Sequence, residues 1–236
     1  MQGDFVWVDL STYDLSTAKA DYAAFFGWSF QNSSGYHFAS NAAEPVAAIF
    51  EMPARLAEME MPSFWMSYIE VDDLEASVAR ARTHEGVVIE VEPQDFDGSA
   101  RVALVRDPAG AGFTLYEGPE IGLSTARSRF FHHLSDMTAI ERFYGDLFNW
   151  RFEKISEAPW NVYDVLKADG ACVAQVEEVP EDIRGTFRYW MPCFDITDRE
   201  SLADRVLARG GSRVVDLPGG RLMLADRQGA HFMIGG

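Results

Sequence analysis

Apolar and polar positions alternate along Phe5–Leu10, FVWVDL. Val6, Val8 and Leu10 share one side of a strand, and Phe5, Trp7 and Asp9 share the other. The period then changes. Over Ala18–Phe26 the apolar Tyr22, Phe25 and Phe26 recur at helical spacing, and Gly27 supplies a stop. Residues 11–16 read as a turn, with Ser16 or Thr17 placed to cap the helix. Short strands are predicted around Trp28–Phe30, Tyr36–Ala39 and Val46–Phe50, which completes one β-α-β-β-β unit. A linker with Pro53 and Pro62 follows, and the order restarts. Phe64–Val71 is a strand, and Asp72-Asp73 opens a helix that runs to about Thr83 and ends at Gly86. Strands are predicted at Val87–Val91, Arg101–Val105 and Gly112–Glu117. Asp107-Pro108-Ala109-Gly110 is the turn before the last of them.

The stretch Leu15–Trp28, LSTAKADYAAFFGW, returns as MTAIERFYGDLFNW over Met137–Trp150. Tyr22 falls on Tyr144, Phe26 on Phe148 and Trp28 on Trp150. A repeat of this size decides the architecture before any local pattern does. The second half runs through a strand at Phe130–Leu134, a helix over 137–148 and strands near Phe152–Ile155, Val162–Leu166 and Ala171–Val176. Arg188–Ile196 then matches Phe64–Val71. A helix over 199–208 ends at Gly210-Gly211, and strands follow near Val214, at Arg221–Leu224 and at Ala230–Ile234. The chain therefore divides into domains 1–118 and 127–236, with 119–126 as linker.

Composition narrows the function classes. Of 236 residues, 47% are apolar and 13% aromatic, so a real core is expected. A net charge of -17 argues against nucleic acid and against an anionic membrane, which both need clustered Lys and Arg. It leaves room for a cationic ligand. The start, MQGDFVWVDL, shows no basic leader with an apolar run, and no apolar run approaches the roughly 18 residues of a membrane span. A cytoplasmic protein is expected. Cys172 and Cys193 are too few for a disulfide framework and read as buried thiols inside apolar strands.

Three features together carry a resemblance. They are a helix of the form AxxFYxxLFGW after Asp14 and Asp136, the restart at Val71-Asp72-Asp73, and the DPxGxxF turn at Asp107–Phe113. The chain resembles the vicinal oxygen chelate superfamily of glyoxalase I, bleomycin-resistance proteins and extradiol dioxygenases, over nearly its whole length. The resemblance implies an α+β fold. Four β-α-β-β-β units would pair into two glyoxalase-like domains, each with a U-shaped mixed sheet around a pocket and helices outside. Metal-dependent members hold a divalent ion on the concave face. Carried onto this chain, their ligand positions are Trp7, Met66 and Thr114 in the first half, and Arg129, Met191 and Met233 in the second. None of these is a usual ligand for a hard or borderline ion, and three are Met. No catalytic metal or other cofactor is expected. A divalent metal held by a different set, with Glu51 or Gln175 in it, is the alternative.

The candidate ligand-binding residues are those the resemblance places on the concave faces. In the first half they are Trp7, Met66, Tyr68 and Thr114, with Tyr116 beside them and Asp9 as a hydrogen-bond acceptor or base. In the second half they are Arg129, Gln175, Tyr189, Met191 and Asp195, with Cys193 and His231 nearby. The planar fork of Arg129 suits a carboxylate or phosphate, or an internal ion pair with Asp195. Of His132-His133, strand alternation turns only His133 inward, where it is a candidate catalytic base partnered by Asp195. His37 and His84 read as loop or surface residues. No GxSxG or phosphate-loop motif is present. The expectation is a protein that binds a small organic molecule without a metal, similar to bleomycin-resistance proteins. The alternative is an enzyme. It would be metal-independent through Asp9 or His133, or a metal-dependent lyase, isomerase or dioxygenase. Monomer and homodimer are both compatible with the sequence.

Overall fold

A computed structural model describes every residue except Met1, Ala43, Met59, Asp97, Glu120, 122–127, 185–187 and Gly236. The first half runs β1 (Phe5–Thr12), α1 (Leu15–Phe26), β2 (Ser29–Ser33), β3 (Tyr36–Asn41), β4 (Glu44–Glu51), α2 (Ala54–Glu58), β5 (Phe64–Glu70), α3 (Leu74–Ala81), β6 (Val88–Phe96), β7 (Ala100–Arg106) and β8 (Gly112–Glu117). The second runs β9 (Ser128–Leu134), α4 (Thr138–Phe148), β10 (Arg151–Ser156), β11 (Val162–Leu166), β12 (Cys172–Glu178), α5 (Glu181–Arg184), β13 (Met191–Asp195), α6 (Arg199–Ala208), β14 (Ser212–Leu217), β15 (Arg221–Ala225) and β16 (His231–Gly235). Two eight-stranded sheets result, ordered β2-β3-β4-β1-β5-β8-β7-β6 and β10-β11-β12-β9-β13-β16-β15-β14. In each β-α-β-β-β unit the first strand pairs parallel with the last: β1 with β4, β5 with β8, β9 with β12 and β13 with β16. The remaining pairings recorded are antiparallel, so both sheets are mixed and the fold is α+β with its tandem repeat intact. No helix among the described residues is long and apolar enough to cross a membrane.

By compactness the chain forms two units, each drawing one β-α-β-β-β segment from either half. One contains Met1–Val6, Ser67–Ile121 and Phe130–Trp190, and packs α3 on α4. The other contains Trp7–Met66, Gly122–Arg129 and Met191–Gly236, and packs α1 on α6. The α3/α4 unit is filled by Phe113, Phe143, Tyr144, Phe148, Trp150 and Trp190, with Phe5 stacked on Phe130 at 4.0 Å. Tyr22, Phe25, Trp28, Trp65, Phe194 and Phe232 fill the α1/α6 unit. Burying one such ring contributes roughly 1.5–3 kcal/mol, so these clusters dominate the favourable side of folding.

Several local expectations are corrected. β1 continues to Thr12, and Asp14 is the residue that caps α1, its Oδ1 accepting from Thr17 N at 2.9 Å. Ser16 and Thr17 donate their hydroxyls to Asp14 instead of capping, and Gly27 closes the helix at φ 72° as expected. These hydrogen bonds, the Thr17 hydroxyl first, hold the Asp14 carboxyl at about 2, below its ordinary 3.8. The predicted strand Arg188–Ile196 shrinks to β13, and Tyr189 before it makes only an isolated bridge to Gly112. Cys172 is exposed, at the start of β12 where the backbone has just left a turn, whereas Cys193 is buried as expected. His37 lies in β3 beside Lys19 Nζ at 3.1 Å. His84 lies in the loop after α3 as expected, but its side chain is only 11% exposed and its ring meets Phe143 edge-on at 5.4 Å. Of the predicted linker 119–126, Glu120 and 122–126 lie outside the described residues.

Candidate functional site

Strand alternation sorts each sheet into a face that carries helices and a face that does not. In the α1/α6 unit, Trp7 and Asp9 project from β1 to the helix-free face, where Asp9 lies in register with Ala48 of β4, and Ala48 with Phe38 of β3. The indole Nε1 of Trp7 donates to the Tyr36 hydroxyl at 2.7 Å, and that hydroxyl donates to Asp9 Oδ2 at 2.8 Å. Phe38 meets Trp7 at 6.0 Å and Tyr36 at 5.1 Å, and Tyr36 meets Phe50 at 5.7 Å. The result is an aromatic cradle around one carboxylate that is 1% exposed. A carboxylate this deep is tolerated because hydrogen bonds take over from water, and the Tyr36 hydroxyl is one of them. Met66 belongs to the same unit and is half-buried.

On β13 of that unit, Met191 and Cys193 are buried and Asp195 is exposed. Asp195 Oδ1 meets Arg129 Nη2 at 3.3 Å, so the expected internal ion pair forms, although longer than a tight guanidinium–carboxylate bond of about 2.8 Å. Cys193 lies in register with Met233, and Met233 with Met223, so one row of the sheet presents three sulfur atoms. His231 sits at the start of β16 and bonds the Gly229 carbonyl at 3.0 Å, and burial lowers its pKa.

In the α3/α4 unit, Tyr68 and Thr114 are register partners on β5 and β8, both buried, and the Tyr68 ring stands 6.3 Å from Phe96. Tyr116 sends its hydroxyl to the Pro119 carbonyl at 2.8 Å. His133 does not meet Asp195. Its Nε2 lies 3.2 Å from Glu177 Oε2, the two residues are register partners on β9 and β12, and both side chains are almost wholly buried. Gln175, one register step away, donates Nε2 to Asp164 Oδ1 at 2.8 Å. Tyr189 precedes β13, where its backbone makes an isolated parallel bridge to Gly112.

Several residues of these clusters escape the sequence reading, among them Tyr36, Phe38, Phe50, Glu177, Arg221 and Gly235. Glu177 was within reach, since it alternates with Gln175 on one strand. Arg221 is 7% exposed on β15, its Nε donating to the Pro218 carbonyl at 3.1 Å and its Nη1 lying 3.9 Å from Met233 Sδ. Nothing in a strand-edge Arg beside two glycines announces burial.

The positions at which related folds hold a metal fail on donor chemistry. Trp7, Met66, Thr114, Arg129, Met191 and Met233 offer an indole, a hydroxyl, a guanidinium and thioethers. None is a good ligand for Mn, Fe, Ni or Zn. Among the described residues no three His, Cys, Asp or Glu side chains come together as such an ion would require.

Known proteins place this arrangement. Residues 5–115 match the family model of the glyoxalase/bleomycin resistance protein/dioxygenase superfamily. The protein CFP32 of Mycobacterium tuberculosis is 31% identical over 99% of this chain and 94% of its own length. The anthracycline biosynthesis protein DnrV of Streptomyces peucetius is 27% identical over 97% and 91%. Among solved structures, the Mn(II)-bound glyoxalase from Novosphingobium aromaticivorans superposes with a TM-score of 0.63 at 12% identity, covering 99% of this chain and 82% of that one. The 2,3-dioxygenase LapB from Pseudomonas sp. KL28 gives 0.62 at 12%, covering 99% and 92%. At such identities the structures speak for the fold alone. The chain belongs to the glyoxalase/bleomycin resistance protein/dioxygenase superfamily.

Proposed function

We propose that the protein binds a flat small organic molecule on the helix-free faces of its sheets, without a catalytic metal. The observation that carries this reading is the cradle of Trp7, Tyr36, Phe38 and Phe50 around Asp9. Rings supply stacking area at low entropic cost, and a fixed carboxylate supplies an oriented acceptor. The net charge of -17 favours a ligand that carries positive charge in this half. Similarity to an anthracycline biosynthesis protein supports a polycyclic ligand. The halves 1–118 and 127–236 are proposed as two binding modules that need not share a ligand. The test is a thermal-shift screen of polycyclic aromatic compounds with chelator present. A ligand at about a hundredfold its Kd should add roughly 2.7 kcal/mol of stability, and Tyr36→Phe or Asp9→Asn should erase the shift. A screen without a stabilising compound, or binding that chelator abolishes, sinks the reading. Native mass spectrometry of protein prepared without chelator or added metal reads bound metal and decides between monomer and homodimer.

A specific observation favours a second reading, that of an enzyme. His133 and Glu177 are register partners whose Nε2 and Oε2 stand 3.2 Å apart without hydrogen-bond alignment, a buried imidazole and carboxylate within reach of each other. The first half carries Ser11 and Phe50 at the corresponding register, so the fold does not demand the couple. Turnover that survives chelator and is lost in both His133→Gln and Glu177→Gln would put this reading first.

A further inference from the structure

We infer that the α3/α4 unit carries a further binding site, for a small alkylammonium ion, in a cavity between the first turn of α3 and the last turn of α4. The cavity measures about 280 Å³, close to the roughly 300 Å³ at which small-ligand pockets begin. Gln2 ties the two helix ends together along one wall, its Oε1 accepting from Asp72 N at 2.8 Å and its Nε2 donating to the Leu147 carbonyl at 3.0 Å. Ser77 lines the cavity although the residue is only 3% exposed. Among the described residues no hydrogen bond engages its hydroxyl, and none engages the Asp72 carboxylate. A polar group this deep calls for a partner, and the cavity is where one can sit. The sign of the ligand follows from the groups already engaged. At the start of α3 the amides of Asp72, Leu74 and Ala76 donate to Gln2, Glu117 and Asp73, which leaves that helix end little to offer an anion. The end of α4 presents carbonyls, where the helix dipole favours a cation. Arg80 Nη1 reaches the Asp146 and Leu147 carbonyls, but only at 3.4 Å. Against that guanidinium the cavity sets the carboxylates of Asp72, Asp73 and Asp146. Asp73 caps α3 and Asp146 is shared with His84 at 3.4 Å and Arg142 at 3.6 Å, so Asp72 is the carboxylate that the ligand meets. Ala76 and Leu147 add apolar wall for a short hydrocarbon arm.

The α1/α6 unit is the internal control. In each unit an Asp caps the second helix, Asp73 accepting from Ala76 N and Asp198 from Ser201 N. In each, an Arg of that helix reaches the end of the facing one, Arg80 to the Leu147 carbonyl and Arg205 to the Phe25 carbonyl. The frame is therefore shared, and four positions along it gain polarity. Asp72, Ser77, Asp146 and Asn149 stand where the α1/α6 unit has Thr197, Leu202, Ala24 and Gly27. Ala76 against Ser201 runs the other way. Leu202 is fully buried, and a Ser in the equivalent place leaves both a hydroxyl and the volume of the missing carbons. Helix packing alone is satisfied by the apolar set, so the polar set answers to something that occupies the space.

The experiment titrates the full chain, labelled with nitrogen-15, with butylammonium and in parallel with 1-butanol, which shares the hydrocarbon arm and lacks the charge. The side-chain amide of Asn149 is the reporter. It is assigned through Asn149→Gly, which suits the φ of 58° there as Gly27 suits 72° at the end of α1. Saturable movement of the signal by butylammonium, and none by butanol, is expected. Ser77→Leu, copying Leu202, should abolish the movement by filling the cavity at unchanged charge. A chain of net charge -17 attracts cations over its whole surface, and this variant separates that background from the cavity. Asp72→Thr, an exposed change that copies Thr197, should weaken binding about fivefold, and it decides alone where Ser77→Leu fails to fold. A signal unmoved at about 10 mM butylammonium, equal movement by butanol, or binding that neither substitution alters overturns the site. Tyr36→Phe and Asp9→Asn should leave this titration unchanged, so its failure and the failure of the function proposed above are read separately.

Discussion

In the α3/α4 unit, Asp107 accepts from Ala111 N at 2.8 Å, from the Tyr144 hydroxyl at 3.0 Å and from His132 Nε2 at 2.9 Å, and Trp190 Nε1 donates to that hydroxyl at 2.7 Å. Asp226, its counterpart in the α1/α6 unit, accepts from Ala230 N and Gln228 N at 3.0 and 2.8 Å and from the Tyr22 hydroxyl at 3.2 Å, while Trp65 Nε1 reaches Tyr22 at 3.1 Å. Turn Asp, helix Tyr and a Trp at or just before the following strand recur, so this relay is the fixed scaffold of the fold. The surroundings have diverged. Leu10 stands where the other unit has His132, and Asp21 stands where it has Phe143. Asp21 is clamped by Arg227 at 2.6 and 2.8 Å and by Arg209 at 3.0 Å. Phe143 instead packs among Phe113, Tyr144 and His84. One unit is thus tied by ion pairs at its helix junction and the other by rings. A shared scaffold with unlike surroundings locates the freedom to change function away from the relay.

The largest effect should come from breaking the relays. Asp107→Ala strands a buried imidazole donor, a tyrosine hydroxyl and a backbone N–H, at a cost of about 3–5 kcal/mol. Asp226→Ala should cost less, about 2–3 kcal/mol, because fewer side-chain donors depend on it. Urea unfolding of the two variants measures the difference. Equal costs would mean that His132 adds nothing.

Next in size is the helix junction. Asp21→Asn removes a buried charge from two arginines whose side chains are each 39% exposed, so solvent screening holds the cost to about 2 kcal/mol. In 1 M salt the penalty should shrink. Phe143→Leu loses ring contacts in the other unit, and its penalty should not respond to salt. Parallel salt series of the two variants would separate ion-pair anchoring from aromatic anchoring, and identical responses would dissolve the contrast.

Titration gives a smaller and directional test. Burial raises the Asp226 pKa above its ordinary 3.8, against its hydrogen bonds. An acid whose folded value is raised contributes stability that is present below 3.8 and lost as the pH climbs through the folded value. The advantage of the wild type over Asp226→Asn should therefore be greatest in acid and shrink as pH rises. Asp14 runs the other way. Its contribution is full above 3.8 and disappears as pH falls toward about 2, so the advantage over Asp14→Ala should shrink in acid. Melting temperatures at matched pH values would expose any slope of the wrong sign.

The two tests also separate what the sequence reveals from what it conceals. Asp107 and Asp226 mark their turns openly, because Gly110 and Gly229 adopt positive φ at the same place in each. The repeat of Tyr22 on Tyr144 likewise fixes the topology, since alternation and helical period agree along both copies. The site clusters are less legible. Alternation assigns Asp9 and His133 a side, but their partners Tyr36 and Glu177 come from strands a hairpin or more away, where register decides the meeting. Pairing His133 with Asp195 failed for that reason: Glu177 of β12 is the register partner that His133 meets, and Asp195 meets Arg129. Arg221 was hidden further, because its burial depends on Gly235 having no side chain.

The smallest expected change is the most informative about function. Replacing His133 and Glu177 together by Ser and Phe installs the pair that the first half carries at Ser11 and Phe50. A buried imidazole–carboxylate couple loses most of its Coulomb gain to desolvation, so the double variant should lie within about 1 kcal/mol of the wild type or be more stable. Each single replacement should cost more than the double, since it leaves an ionisable group with an apolar or mismatched neighbour. Equilibrium unfolding of the four proteins closes the cycle. A near-neutral double variant would mean that the couple is maintained for its proton chemistry. A loss of about 3 kcal/mol would make it a structural tie, and the likeness between the two halves would then extend to a face where their sequences do not agree.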